Sequence, residues 1–174
     1  LVERDFQRRP DAYVNLFVRY AKVNDSVVAV QLLPEPPVEF YHGLMNYTQH
    51  PSPRVREHVV YAFAYGRTSR GELKASLLPV MAEWLQDADK AVVDGAVTLV
   101  GVLGSPAGHP VRQLVYSPNP RTRLAAARAL TRVLSSSEQD RDDLRAIEHL
   151  INDENERVRM QAQYALRVSK GVAP

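Results

Sequence analysis

Cysteine is absent, which excludes disulfides, thiolate metal centres and a thiol nucleophile. No apolar run approaches ~20 residues, so no stretch reads as a membrane-spanning helix. Strand-like alternation is scarce. So is lysine: of 22 basic residues only 4 are Lys, a bias toward planar, multi-donor Arg contacts. Acid is missing between Gly95 and Ser137, where Arg112, Arg121, Arg123, Arg128 and Arg132 stand unopposed. From Glu138 to Glu156 the sign reverses, with eight acids against Arg141 and Arg145. The totals nearly cancel at a net charge of +2, so long-range attraction is weak. The five histidines, read as surface or helix-end residues, include no i, i+4 pair and no H-E-x-x-H. No metal or cofactor is implied, and no catalytic constellation stands out.

What is present suffices for one compact domain or a short repeat array: 174 residues, 45% hydrophobic and 24% charged. Leu1 rather than Met stands first, so a fragment or processed product is expected, and Leu1 to Pro10 has no signal-like apolar core. The composition suits the cytoplasm, the first choice, and the periplasm alike.

One pattern returns four times. A small polar residue precedes two helix-starting residues and an apolar set at i, i+4, i+7 and i+8. Ser52 leads to Val55, Val59, Ala62 and Phe63; Asp89 to Val92, Ala96, Leu99 and Val100. Asn119 leads to Thr122, Ala126, Ala129 and Leu130; Asn155 to Val158, Ala162, Ala165 and Leu166. Ser, Asp and Asn accept hydrogen bonds from the free amides of a helix start, and Pro53 and Pro120 fit its first position. The apolar set falls on one stripe, so each helix has a single buried face. Other helical segments precede these four: Val38 to Gln49, Glu72 to Gln86 with Pro79 as a kink or break, Ala107 to Ser117 and Glu138 to Asn152, the last capped by Ser137. Pro10 to Val23 and Ser26 to Leu33 read as a further, weaker pair.

Helical hairpins at this period are the signature of an α-solenoid. The expected fold is all-α, a right-handed superhelix of four to five antiparallel helix pairs. Residues 1–174 form a single repeat domain, with units at 38–66, 72–104, 107–134 and 138–170 and a divergent pair or cap at 1–35. The residues themselves resemble HEAT repeats, including the bacterial phycobilisome-lyase-like subset. Val55-Arg56, Thr122-Arg123 and Val158-Arg159, each followed by spaced Ala or Val, are similar to the V-R-x-x-A-x-x-A-L core of that family's second helix. The second unit departs from it, with Val93 where the others carry Arg.

The resemblance implies a binding scaffold whose second helices line a concave face where partners dock. On that basis the side opposite each stripe carries Arg54 and Tyr61, then Arg121, Leu124 and Arg128, then Arg157, Met160 and Tyr164. Arg, Tyr and Met are types enriched where proteins bind proteins. The partner expected is a protein or peptide with acidic and apolar groups. The alternative is nucleic-acid binding, including a HEAT-like DNA alkyl-base glycosylase in which Asp94 would be the carboxylate. Arg56, Arg123 and Arg159 lie at the stripe's edge and are read as structural, bordering the neighbouring repeat. Trp84 is read as core.

Overall fold

The computed structural model describes residues 10–23, 36, 38–66, 71–135 and 140–172. All regular structure among them is helical, and the fold is an all-α solenoid of helical hairpins. The helices are α1 (Pro10–Val23), α2 (Val38–Met45), α3 (Pro53–Tyr65), α4 (Gly71–Trp84), α5 (Lys90–Leu103), α6 (Gly108–Leu114), α7 (Pro120–Leu134), α8 (Arg141–Leu150) and α9 (Glu156–Ser169). A 3-10 turn at Ser105–Ala107 precedes α6. No helix here is long and apolar enough to cross a membrane. The expected segment Ser26 to Leu33 and the cap at Ser137 lie outside the described residues.

The four stripes govern burial, except that Leu166 at the end of the fourth is only half-buried. Val55, Val59, Val92, Ala96, Leu99, Val100, Ala126, Ala129, Leu130, Val158, Ala162 and Ala165 are fully buried, and Phe63 and Thr122 nearly so. Alanine dominates the stripes of α7 and α9, which lets neighbouring helices approach closely. Starts follow side-chain chemistry. Asp89 Oδ1 accepts from the amides of Ala91 and Val92, Asn119 Oδ1 from Arg121, and Asn155 Oδ1 from Arg157 and Val158. Ser52 departs from this: its side chain makes no capping bond, and Pro53 alone sets the start of α3. α8 starts at Arg141 rather than Glu138, because Asp140 Oδ1 takes the Asp142 amide and fixes the cap there. α4 runs unbroken through Pro79.

Contacts divide the chain into two compact units, residues 1–75 and 76–174. In the first, α1 packs on α2 and α3 through an aromatic cluster. Phe17 meets Phe40 edge-on at 5.8 Å, Phe40 meets Tyr41 at 5.4 Å, and Tyr41 meets Phe63 at 5.7 Å. His58 belongs to this core and not to the surface: it is buried, and its Nδ1 lies 2.8 Å from the carbonyl oxygen of Arg54. Gly43 allows the close approach of α1, since a Cβ there would stand 2.7 Å from Val14 Cγ2.

In the second unit α5, α7 and α9 stack side by side as the second helices, while α6 and α8 pack on each other, α6 also against α7 and α8 also against α7 and α9. Trp84, 2% exposed, is core as expected. The acid-free stretch and the acid-rich stretch are thereby sorted into layers. α5, α7 and α9 carry eight basic residues against Asp94 and Glu156, whereas Asp140, Asp142, Asp143, Glu148, Asp153 and Glu154 lie on α8 and its flanking turns.

Candidate partner-binding face

The turns entering α3, α7 and α9 share one construction. Arg56 Nη1 donates to the carbonyl oxygens of His50 (2.7 Å) and Pro51 (3.2 Å). Arg123 Nη1 does the same to Ser117 (2.9 Å) and Pro118 (3.2 Å), and Arg159 Nη1 to Asp153 (2.7 Å) and Glu154 (2.9 Å). Each arginine thus ties down two carbonyls of the turn that enters its own helix. These side chains are structural, as expected, but their first contact is with their own turn. Arg123 reaches the next repeat as well. Its Nε and Nη2 hold Asp153 bidentately at 2.6 and 2.9 Å, and Nη2 also donates to Glu154 at 3.1 Å. This hydrogen bonding holds the Asp153 carboxyl below the usual carboxylate range and raises the Arg123 guanidinium. Val93 provides no such clamp for the turn entering α5.

The eight predicted contact residues divide between the units. In the first, Arg54 is exposed, and Tyr61 is half-buried and stacks on the ring of Tyr65 at 5.6 Å. In the second, Arg121 and Arg157 are exposed, and their guanidinium groups have no partner among the described residues. Met160 is 61% and Tyr164 36% exposed, while Leu124 is only half-buried. Arg128 differs from expectation: it donates to Asp94 at 2.7 Å, tying α7 to α5. Lys90 donates to the other oxygen of the same carboxylate. Burial works to raise the Asp94 carboxyl, but the hydrogen bonds and charges of Lys90 and Arg128 prevail and hold it below its ordinary value. Asp94 is therefore an ionised structural link.

Two further residues belong to this face. The stem of Arg132 lies over Gly101, whose added Cβ would stand 3.2 Å from Arg132 Cβ. Gln161 Nε2 donates to Thr131 Oγ1 at 3.0 Å, joining α9 to α7. Arg132 was legible as the last basic residue of the acid-free stretch, but a single helical wheel places it at the edge of the face. Gln161 gave no signal in the sequence.

A second polar cluster lies on the first-helix side. Asp143 is fully buried, and Arg112 Nη1 donates to its Oδ1 at 2.6 Å and to Asp140 Oδ2 at 3.0 Å. Among the described residues, Asp143 Oδ2 has no hydrogen-bond partner. Burial raises the Asp143 carboxyl, outweighing the pairing with Arg112, and Asp140 and Asp142 push the same way. The carboxylate lies against Gly108: a Cβ there would meet its two oxygens at 2.6 and 2.7 Å. No group of three or more His, Asp and Glu side chains able to hold a metal occurs among the described residues.

The family profile described as HEAT repeats matches residues 78–167, more than half of the chain. The chain belongs to the HEAT-repeat family. Solved structures of similar fold include a designed armadillo repeat protein in complex with the peptide (KR)4. It is 18% identical, with a TM-score of 0.50 over 95% of this chain and 86% of that one. Another is an engineered protein, 16% identical, with a TM-score of 0.50 over 89% of this chain and 80% of the other. These likenesses concern the HEAT-type fold alone. No curated protein sequence matches the chain.

Proposed function

We propose that this HEAT-repeat chain is a non-enzymatic scaffold that binds an acidic, partly apolar protein segment. In the second unit that segment would lie on the face of α7 and α9 turned away from the first helices, the concave side of the repeat stack. The observation that carries this reading is the pairing of free guanidinium groups at Arg121 and Arg157 with the uncovered side chains of Met160 and Tyr164. Arg supplies forked, charge-assisted bonds to carboxylates, and Met and Tyr supply adaptable apolar contact. Leu124, half-buried, is the predicted apolar contact on α7. Arg54 and Tyr61 are the corresponding residues of the first unit, and residues 1–174 act as one repeat domain in this reading. Arg128 adds positive potential without being a free ligand, and the exposed Arg132 adds a further cation. A peptide is also what occupies the designed armadillo relative, although (KR)4 is basic and the partner proposed here is acidic.

The same excess of arginine fits a polyanion, but apolar side chains among the arginines are wasted on a phosphate backbone, whose grip rests on Lys and Arg. The glycosylase alternative is the less favoured reading, because its carboxylate, Asp94, is tied to Arg128 and Lys90. Selection of a random peptide display library on the chain tests the proposal. Recovered peptides are expected to carry Asp or Glu interspersed with Leu, Phe or Met. The Arg121→Glu/Arg157→Glu variant should bind them about tenfold or more weakly, with unchanged helical circular dichroism. Recovery of no acidic sequence contradicts it, as does tighter binding to duplex DNA with a steep salt dependence.

A further inference from the structure

Arg112, Arg123 and Arg128 each join one repeat of the second unit to another, but not equally firmly. Arg123 bonds to two carbonyls and two carboxylates, and both it and Asp153 are largely shielded from solvent. Arg112 holds the fully buried Asp143. Neither pair opens without stranding a charged group away from water. Arg128 is held differently. Its Nη1 makes one bond, to Asp94 Oδ1 at 2.7 Å, and its Nε and Nη2 have no hydrogen-bond partner among the described residues. The side chains of Arg128 and Asp94 remain 34% and 25% exposed. Lys90 holds the other oxygen of Asp94, so this carboxylate keeps a cation when Arg128 leaves. A partly exposed pair with one bond is weak, whereas a forked bond from a guanidinium to a carboxylate is strong. Arg128 also stands two turns along α7 from Arg121 on the same side, and its equivalent on α9 is the exposed Tyr164. A segment that pairs with Arg121 and Arg157 and lies on Tyr164 therefore passes over Arg128.

We propose that Arg128 is a third carboxylate receptor of the α7/α9 face, occupied in the free chain by Asp94 as an internal stand-in for the partner's acid. This rests on the reading of that face as the site of an acidic segment. On binding, an Asp or Glu of the partner takes the Nε/Nη2 edge as a fork. Arg128 gives up its single bond to Asp94, and Asp94 stays on Lys90. While the pair is closed, the affinity of the face is reduced in proportion to the fraction of molecules in which it is open. The contact also makes the face selective: an acid aligned with the fork displaces Asp94, whereas one passing at a distance meets its negative charge.

The probe is an acetylated and amidated peptide of four Glu-Leu repeats, titrated by calorimetry into the intact chain and its variants at one low salt concentration. Asp94→Asn should bind it about threefold to fivefold more tightly than the native chain. In an Arg128→Gln background the same change should bring no gain, because the receptor is gone. Helical circular dichroism checks the fold of each variant. In the native ¹⁵N-labelled chain, with no substitution, the Nε–Hε resonance of Arg128 should shift saturably on adding the peptide. The inference is overturned if Asp94→Asn brings no gain, or if its gain survives Arg128→Gln, which would make Asp94 only a diffuse charge. It also falls if the Arg128 resonance stays in place while the peptide binds. In each of these cases, binding to the native chain that weakens on Arg121→Glu/Arg157→Glu leaves the face itself standing. A peptide that binds neither the native nor the Asp94→Asn chain overturns both.

Discussion

Asp143 is the residue whose environment most directly governs stability. Its carboxyl is completely buried, held by Arg112 on one oxygen and unpaired on the other. A carboxyl whose value is raised in the folded state gives stability that is full below its unfolded value and fades as pH rises through the raised one. Asp143 therefore opposes the trend set by Asp153 and Asp94. Their lowered values give stability above the ordinary carboxylate range that is lost on acidification. Asp143→Asn keeps an acceptor for Arg112 and removes the ionisation. Urea melts from pH 4 to pH 8 should find the variant's disadvantage largest at the acid end and shrinking toward neutrality. A disadvantage that grows with pH would contradict the burial argument. Little of this was legible beforehand. Asp140, Asp142 and Asp143 stand close together at the start of α8, and only packing against α6 shows that Asp143 points inward. His58 escaped for the same reason: its place in the aromatic cluster depends on Phe17, far away in the chain.

At the level of the helix, the sequence was informative where local chemistry decides and weak where tertiary contacts do. Stripes and starts of the second helices follow from spacing and capping residues, and α5, α7 and α9 begin as read. First helices proved shorter than their apolar patterns suggested. α2 stops at Met45 instead of Gln49, and α8 starts at Arg141 because Asp140 wins the cap. The cap chemistry makes a differential prediction. Asn155→Ala removes two acceptor contacts at the start of α9 and should cost about 1 kcal/mol. Ser52→Ala removes none and should stay within about 0.5 kcal/mol. Thermal or chemical denaturation of the two variants separates the cases, and equal losses would show that the side-chain bonds do not set these termini.

For the whole chain, the repeat and the family were legible because four stripes and three Val/Thr-Arg pairs recur at solenoid spacing. The candidate face was legible only in part. A helical wheel lays out one helix, so it identified Arg121 and Arg157 as outward but could not see that Arg128 reaches Asp94 on the neighbouring helix. Stacking also explains why a net charge of +2 misleads: the acids collect on α8 and its turns, leaving the second-helix layer of this unit strongly basic. In the proposed function this layer recognises an acidic segment by direct charge pairing. Calorimetry with a charge-swapped pair tests it most directly: a selected peptide with its acids changed to Arg, against the Arg121→Glu/Arg157→Glu chain. The swapped peptide should bind the reversed chain within a few-fold of the original pair's affinity and fail to bind the native chain. Undiminished binding of the original acidic peptide to the reversed chain would contradict the claim.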